Sequence, residues 1–446
     1  MLTPGQVGAA VEAVTGDLAF LQAMLDAETA LVRAQAALGH APVSAAVAVA
    51  AAARAERFDV RSLALRARSG GNPVIPLVAD LTAAVPADAA PYVHRGATSQ
   101  DIVDTAAMLV AARTLPLILD DLDRTAAALA GLAAEHRDTP MPGRTLTQHA
   151  VPTTFGLKAA GWRSLVLDAA DRLAALRPPA QLGGAAGTLA AFEAPPGSPG
   201  SGPALMTEYA RVLGLAAAGL PWHTLRTPVA DLGSALAFTV TALGKPAADV
   251  LLLSRTETGE LAEGTGGGSS AMPHKSNPVR ATLIAVAARQ APAPAAVLLG
   301  SVVAEDERPA GAWHAEWPAL RQLLRLAGGA ARDAAELTAD LRVVPGRMLD
   351  NLHRTKGLVA SERLAAELGA RLGRAQARAL LDRATRRVVE EGVTLSAALR
   401  SEPGLRDWPP ADRLRELTDP AAYVGSAAAL VDRALHRAMP VRRKNP

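Results

Sequence analysis

The chain has 446 residues; half of them are apolar, only 3% are aromatic, and 46 basic residues nearly balance 43 acidic ones. This length predicts two or three domains, and the abundance of alanine and leucine favours helices over strands. The absence of cysteine excludes disulfides, thiolate metal sites and cysteine nucleophiles.

The N-terminal sequence and the charge pattern indicate a soluble protein. No lysine or arginine precedes Arg33, so the charged start of a signal peptide is missing. The alanine-rich run 45–53 is too short to span a bilayer. The tight basic cluster 442–444 is interpreted as a solvated tail rather than a nucleic-acid contact. We therefore expect a cytoplasmic protein that binds neither membranes nor nucleic acid.

Residues 1–97 predict an N-terminal domain of several short helices. An amphipathic helix is expected over 17–39, where Gly39 ends it. The turn-forming cluster 69–73 separates it from the apolar stretch 74–78.

Residues 98–345 predict a central domain of long helices. Apolar side chains recur at three- and four-residue steps, which indicates helical stripes. The predicted helices cover 115–133, 155–173, 229–243, 278–299 and 316–341. Pro246 is expected to kink or interrupt the third, and 194–202 to form an exposed loop. Five long helices imply a bundle.

Residues 346–446 predict a smaller C-terminal helical domain. Its helices are expected over 358–372, 374–391 and 420–439. The predicted fold class is therefore all-α, with domains over 1–97, 98–345 and 346–446.

Polar clusters interrupt the helical pattern at two places before the middle of the chain. Thr98 and Ser99 fit the N-cap of a helix that starts near Asp101, and the same helix terminus could also bind a carboxylate. Gln148 and His149 lie just ahead of a long helix. A loop histidine is structural or catalytic, and the sequence leaves both interpretations open.

The most unusual stretch is 264–280, where four glycines and two serines precede Lys275 and Asn277. Such a segment is either a flexible connector or a loop that approaches a ligand closely. Two prolines, at 273 and 278, flank Lys275 and Asn277, which favours the second interpretation. Further on, Trp313 and Trp317 either cover a core or line a pocket.

Several kinds of site lack their sequence signature. No metal-ligand spacing accompanies the scattered histidines, and no G-x-S-x-G elbow of a hydrolase is present. The glycines at 264 and 266 follow no βαβ unit, so they do not predict a dinucleotide site.

The stretch GSSAMPHKSNP, residues 268–278, resembles the signature of the fumarase/aspartase superfamily. Thr98-Ser99-x-Asp101 and 143–145, Gly-Arg-Thr, resemble its two other shared regions. Within the superfamily the chain is most similar to the bacterial 3-carboxy-cis,cis-muconate cycloisomerases, on residues 94–101, 148–150 and 307–317. The resemblance implies an all-α, three-domain subunit with a central long-helix bundle and a homotetramer whose active sites are shared between subunits.

The resemblance also implies roles for individual residues, with no cofactor and a small polycarboxylate as substrate. The implied catalytic residues are Ser269 for proton transfer, with His149 and Lys275. The implied substrate-binding residues are Thr98, Ser99, Gln148, Ser270, Met272, Asn277, Arg308 and Trp313. No metal ligand is implied.

Leu146 departs from the wider superfamily, whose lyases usually carry histidine directly after Gly-Arg-Thr. Leucine cannot transfer a proton, whereas a carboxylate is stable as an anion and needs little help from a general acid. This favours intramolecular lactonisation of 3-carboxymuconate in the degradation of aromatic acids. An adenylosuccinate- or argininosuccinate-type lyase and a non-catalytic helical scaffold stay as alternatives.

Overall fold

A computed structural model describes residues 2–193, 201–268, 272–405 and 409–441. Helices dominate these residues, which confirms the predicted all-α class. In chain order the α-helices are α1 (Ala10–Val14), α2 (Asp17–Ala37), α3 (Val43–Ala52), α4 (Val60–Gly70), α5 (Val74–Ala84), α6 (Ser99–Glu135), α7 (Phe155–Ala175), α8 (Ser201–Leu213), α9 (Thr227–Leu253), α10 (Val279–Gln290), α11 (Pro292–Gly300), α12 (Ala312–Ala339), α13 (Pro345–His353), α14 (Ser361–Leu372), α15 (Arg374–Glu391), α16 (Leu395–Arg400), α17 (Ala411–Thr418) and α18 (Ala427–Leu435).

The strands in the described residues form short antiparallel pairs between the helices. The pairs are β1 (Pro140–Thr145) with β2 (Gln148–Thr154), β3 (Leu261–Glu263) with β6 (Leu341–Val343), and β4 (Gly267–Gly268) with β5 (Ser276–Asn277). Short 3₁₀ turns lie at Ala55–Arg57, Ala90–Tyr92, Ala190–Phe192, Leu358–Ala360, Pro403–Leu405 and Pro420–Ala422.

Five long helices pack side by side as the predicted bundle. Helix α6 contacts α7 and α12, and α9 contacts α7, α10 and α12. Arg226, at the N-terminus of α9, bonds both Asp104 near the start of α6 and Glu316 near the start of α12. Helices α6, α9 and α12 therefore run in one direction, and α7 and α10 run back between them.

Helix α6 sets the length of the bundle. Its 37 residues span about 55 Å at 1.5 Å per residue. Thr98, its N-cap residue, lies at one end, which we call the Thr98 end. The C-termini of α9 and α12 lie at the opposite end, where Gly264 N–H donates to Asp340 O at 2.8 Å. The segment 264–280 follows there, and we call this the Lys275 end.

The apolar core of the described chain falls into two clusters. The larger joins the N-terminal helices to the bundle and includes Leu25, Ile118 and Leu243. The smaller lies among α14 to α17 and includes Leu380 and Leu399. The domain boundaries after residues 97 and 345 stay a prediction.

Three details differ from the sequence expectation. Helix α9 runs through Pro246 without interruption, because burial of this proline in the bundle offsets the one main-chain bond that it cannot donate. The expected helix 278–299 is divided at Ala291, before Pro292, which lacks an N–H group. Of the expected loop 194–202, residues 194–200 lie outside the described residues, and Ser201 begins α8.

By length and apolar composition alone, three helical segments of the described chain would be able to cross a membrane: Ser99–Glu135, Thr227–Leu253 and Val279–Gly300. The first two are mostly buried in the bundle. The third keeps exposed apolar side chains, of which Val279, Val286 and Val297 recur at steps of 7 and 11 residues and so share one face.

Candidate active site

Thr98 and Ser99 lie at the N-terminus of α6, as their N-cap chemistry predicts. Asp101 accepts a hydrogen bond from the Thr98 N–H at 2.9 Å, which fixes the first turn. Arg308 reaches this turn from the loop before α12. Its Nη2 lies 3.2 Å from Thr98 Oγ1, and its Nε donates to Gln100 Oε1 at 2.9 Å. The turn thus presents two hydroxyls, free helix N–H groups and a guanidinium, a combination suited to a carboxylate.

Asp101 stabilises this turn from the interior of the bundle and is fully buried. Its two oxygens accept from Gly183 N–H at 2.8 Å and Gly184 N–H at 3.0 Å. His223 Nε2 lies 2.7 Å from Asp101 Oδ1. A side chain at Gly183 would collide with His223, since a Cβ there would lie 2.7 Å from the ring. Gly183 and His223 are not predicted from the sequence, because nothing local links them to Asp101, 82 and 122 positions earlier in the chain.

A second layer of charge lies behind Asp101. Arg226 is 1% exposed and donates to both oxygens of Asp104, at 2.7 and 3.0 Å, and to Glu316 Oε1 at 3.0 Å. Burial lowers the pKa of Arg226, but the two carboxylates more than offset this and raise it. Burial likewise raises the pKa of Glu316.

Trp313 belongs to this inner layer. It is 2% exposed, and its Nε1–H donates to Asp104 Oδ1 at 2.9 Å. The resemblance implies that Trp313 contacts the substrate, and this expectation needs correction. An indole enclosed on all sides, with its N–H already bonded, supports the charged layer and offers no free face to a ligand.

At the Lys275 end, Gln148 and His149 lie on strand β2 rather than in a loop. The hairpin turn is Leu146–Thr147, with φ of 48° and 73°. Leu146 is 96% exposed at the tip. A Cβ at Gly143 would lie 2.4 Å from Val151 O, so this close approach of β1 and β2 needs glycine. The hairpin therefore holds its polar residues beside an apolar, protruding tip.

His149 is half-buried on this hairpin. Burial and then the charge of Arg144 lower the pKa of His149. Its ring is therefore neutral at pH 7, with one nitrogen that donates a hydrogen bond and one that accepts.

The glycine-rich segment 264–280, which we call the glycine loop, contains the short ladder of β4 and β5. Gly267 faces Asn277 in this ladder, and Gly268 faces Ser276. Lys275 is exposed, and its N–H donates to Met272 O at 3.0 Å, which closes a turn. Asn277 is half-buried and Met272 is 42% exposed. The ladder therefore fixes the base of the segment that presents Lys275.

Ser269 and Ser270, expected to transfer the proton and to bind the substrate, lie outside the described residues.

The structure does not bring the predicted site residues together within one chain. Thr98, Ser99 and Arg308 lie at the Thr98 end, whereas Gln148, His149, Met272, Lys275 and Asn277 lie at the Lys275 end. The two groups are separated by the length of α6, about 55 Å. Each end therefore carries only part of the predicted set of site residues. Among the described residues, no group of three or more His, Asp or Glu side chains is placed to hold a metal ion.

Comparisons with known proteins agree with this arrangement of long helices. A family described as lyase matches residues 9–292, and a family described as adenylosuccinate lyase C-terminus matches residues 357–434. A nitrosuccinate lyase of Streptomyces davaonensis is 55% identical, with 99% of this chain and 96% of that protein covered. A 3-carboxy-cis,cis-muconate cycloisomerase of Pseudomonas aeruginosa is 42% identical over 96% of this chain and 94% of its own length.

Solved structures give the same result. The 3-carboxy-cis,cis-muconate lactonizing enzyme of Pseudomonas putida superposes with a TM-score of 0.90 at 40% identity, with 96% of each chain covered. A fumarate lyase of Mesorhizobium sp. BNC1 gives 0.86 at 36% identity, with 95% of this chain and 97% of that chain covered. The substrates named for these relatives are small carboxylates. The chain belongs to the lyase family of the fumarase/aspartase superfamily.

Proposed function

We propose that this enzyme is a lyase that removes nitrite from nitrosuccinate to give a butenedioate, fumarate if the product is trans. The observation that carries the proposal is the 55% identity to a nitrosuccinate lyase over 99% of the chain. The cycloisomerases, which the sequence motifs favour, are 34–42% identical to the chain.

Leu146, at the hairpin tip, favours a reaction in which the leaving group departs as a stable anion. Leu146 occupies the position where lyases that expel an amine or hydroxide carry histidine, and leucine cannot donate a proton. Nitrite, like a carboxylate, is the conjugate base of a weak acid that is fully ionised at neutral pH. Its departure therefore needs no general acid. The argument that favours lactonisation from the sequence applies equally to loss of nitrite.

The proposed reaction is a β-elimination. Ser269 takes a proton from the CH₂ carbon next to one carboxylate, and the electron pair passes into that carboxylate as an enediolate. The pair then forms the C=C bond while the C–N bond breaks and nitrite leaves with its electrons. Nitrosuccinate thus gives the butenedioate dianion, nitrite and one proton, which Ser269 passes to solvent.

Charge stabilisation in this scheme comes from both ends of the bundle. Lys275 and Asn277 hold the carboxylate that becomes the enediolate, where fixed donors lower the barrier most. Arg308, Thr98 and Ser99 hold the second carboxylate, and Gln148 donates its amide from the hairpin. Neutral His149 orients a carboxylate or nitro oxygen through its N–H.

The site requires more than one chain in this proposal. Residues at the two ends of the bundle, which the length of α6 (about 55 Å) separates, cannot contact one small substrate. The exposed apolar face of Val279, Val286 and Val297 on α10 and α11 supports burial against a second copy. We propose a homotetramer in which each site combines the Thr98 end of one chain with the Lys275 ends of others.

A second candidate is 3-carboxymuconate cycloisomerase. The TM-score of 0.90 and 40% identity to the lactonizing enzyme favour it, and Leu146 suits it for the reason given above. In this reaction a substrate carboxylate adds to the diene and Ser269 delivers a proton to carbon. The same anion-holding residues would serve both reactions.

The experiment is a parallel assay of the purified protein with nitrosuccinate, 3-carboxy-cis,cis-muconate, adenylosuccinate and argininosuccinate. We expect nitrite and the butenedioate in equal amounts from nitrosuccinate and little change in the other three compounds. Consumption of the muconate chromophore without nitrite release would replace the first proposal with the second. Cleavage of adenylosuccinate or argininosuccinate as the best substrate would contradict both.

A further inference from the structure

The first turn of α10 has no cap within its own helix. Its N-cap residue is Pro278, whose side chain carries no hydrogen-bond acceptor. The N–H groups of Arg280 and Ala281, the second and third residues of α10, are those that an N-cap side chain normally binds. No carbonyl within the helix can accept from them. An acceptor must therefore come from another segment of the chain.

Glu263 supplies both acceptors from the other end of the glycine loop. Its Oε1 accepts from Ala281 N–H at 2.9 Å, and its Oε2 accepts from Arg280 N–H at 3.2 Å. The residue is 6% exposed, and its negative charge lies at the positive end of the helix dipole. Glu263 directly precedes the glycine loop, and Arg280 ends it. One buried carboxylate thus joins the two ends of the loop.

The main chain of Glu263 is fixed to the end of the bundle. It pairs with Leu341 in the ladder of β3 and β6, which follows α12. The next residue, Gly264, donates its N–H to the carbonyl of Asp340, the C-cap residue of α12. Glu263 therefore sets the position of the first turn of α10 relative to the C-terminus of α12.

A short path leads from this turn to the residues that are proposed to hold the substrate. Asn277 immediately precedes Pro278, the N-cap residue of α10, and Lys275 lies two residues before Asn277. Asn277 also pairs with Gly267 in the ladder of β4 and β5. The two chain segments that Glu263 joins are therefore also the two arms of this ladder. Fraying of the first turn of α10 would release Lys275 and Asn277 from their fixed relation to the bundle.

We propose that Glu263 is a positioning residue of the active site, which holds Lys275 and Asn277 in place by joining the first turn of α10 to β3. It acts through α10 rather than by contact with the substrate. The proposal rests on the role given to Lys275 and Asn277 above and extends it to a buried residue outside the motif 268–278. Donors lower a barrier most when they are held in place before the reaction, so looser donors reduce turnover more than binding.

The first experiment is steady-state kinetics of Glu263→Gln. The side-chain amide keeps the size of the carboxylate, but its NH₂ group cannot accept a hydrogen bond, so one of the two N–H groups loses its partner. With whichever compound of the parallel assay the enzyme converts best, kcat should fall about 10- to 100-fold, as expected for a displacement of about 1 Å. KM should change by less than about threefold.

Glu402→Gln is the matched control. Glu402 is 7% exposed and accepts from Arg383 Nη2 at 2.7 Å, so it is also a buried carboxylate with a hydrogen-bond partner, but it belongs to the C-terminal helices. This variant should lose stability, as Glu263→Gln does, while kcat stays unchanged. A loss of turnover that follows from destabilisation alone would appear in both variants.

A spectroscopic measurement reports on the loop without any substrate. The chain has no cysteine, so Met272→Cys creates a single thiol for a nitroxide label, at a position that is 42% exposed. We expect the electron paramagnetic resonance lines of the labelled protein to narrow when Glu263→Gln is added, because the label then moves more freely. The lines should stay unchanged when Glu402→Gln is added. Urea unfolding establishes that each variant is folded.

Each of the following results would overturn the proposal: a kcat of folded Glu263→Gln within about threefold of wild type, an equal loss of kcat in Glu402→Gln, or an unchanged nitroxide spectrum in Glu263→Gln. If Glu263→Gln does not fold, Glu263→Asp, which keeps the charge but is one CH₂ shorter, is measured in the same way. If the enzyme converts none of the four compounds, the proposed function fails, and the nitroxide spectrum alone decides whether Glu263 positions the loop.

Discussion

Arg144 and Glu260 form a two-point ion pair at the Lys275 end. Arg144 Nη1 lies 3.0 Å from Glu260 Oε2, and Nη2 lies 2.5 Å from Oε1. Glu260 is fully buried and also accepts from Asn351 Nδ2 at 2.8 Å. Since Arg144 belongs to β1 and Glu260 directly precedes β3, the pair joins the hairpin that carries Gln148 to the segment that leads into the glycine loop.

Glu260→Gln should therefore destabilise both the β1–β2 hairpin and the segment that leads into the glycine loop. We expect the free energy of unfolding to fall by about 3 kcal/mol. This is the lower limit of the range of about 3–5 kcal/mol for a broken buried ion pair, because the Arg144 side chain is 26% exposed. Urea unfolding at fixed protein concentration measures it. The control is Asp412→Asn, which removes an exposed partner of Arg415 and should not shift the midpoint. A loss below about 0.5 kcal/mol for Glu260→Gln would contradict the anchoring role.

Arg308→Lys should weaken substrate binding more than turnover. The guanidinium bonds Thr98, Gln100 and the carbonyl of Ala185 at once, and an ammonium cannot reproduce that fork. Hydrogen bonds to charged groups contribute roughly 1.5–3 kcal/mol, so KM should rise about 10- to 100-fold while kcat changes little. Steady-state kinetics with nitrosuccinate measures both. Arg387→Lys, which alters an exposed ion pair with Glu391 on α15, is the matched control and should leave both constants unchanged.

Ser269→Ala should abolish most turnover while the protein stays assembled. A positioned proton-transfer group contributes about 10²–10⁴-fold, and kcat should fall by that factor with KM nearly constant. Nitrite release gives the rate, and light scattering gives the oligomeric state. Ser270→Ala, one residue on, is the control and should act mainly on KM. Turnover near the wild-type rate in Ser269→Ala would remove this residue from the mechanism.

Leu146→His should not accelerate the reaction. If the leaving group departs as a stable anion, a proton donor at the hairpin tip has nothing to protonate. Nitrite release by Leu146→His and by Leu146→Met, which keeps an apolar tip, should be equal within a small factor. A gain of about tenfold or more for the histidine variant alone would show that protonation limits the reaction.

His94 gives a pH-dependent contribution to stability. Burial lowers the pKa of His94, but its contact with Glu28, 2.6 Å from Nδ1 to Oε1, more than offsets this, so the pKa is raised. A raised histidine pKa gives stability that is complete below the unfolded pKa of about 6.5 and is lost as pH rises through the folded pKa. We therefore expect wild type to lose unfolding free energy between pH 6 and pH 9 relative to His94→Asn.

Asparagine is chosen because His94 has a φ of 55°, which asparagine tolerates, and because its amide does not titrate in this range. Urea unfolding at several pH values measures the difference between the two proteins. A difference that stays constant across this range would show that the His94–Glu28 contact does not titrate.

The sequence predicts the helical part of the fold well, because the signals there are local. Thr98 shows N-cap chemistry, and α6 begins at the next residue. The hairpin of β1 and β2 is missed for a physical reason. Pro142 and Pro152 face each other in its ladder, and proline, which has no N–H, normally argues against a paired strand.

The site is predicted less completely, because its supports are remote in sequence. Motifs identify the groups that would touch a substrate, yet the partners of Asp101 lie 82 to 122 positions further along the chain. The sequence also does not predict that Trp313 is buried against Asp104, because two tryptophans near charged residues are compatible with a core and with a pocket. Packing between remote segments decides such cases.

The length of α6 has a consequence for inheritance. In the proposed assembly, a chain damaged at Thr98 still supplies a sound Lys275 end to its neighbours, and a chain damaged at Lys275 still supplies a sound Thr98 end. Two gene copies that are each inactive alone would then produce mixed assemblies in which some catalytic centres receive only undamaged parts. Conversely, one defective copy would impair centres built partly from normal chains.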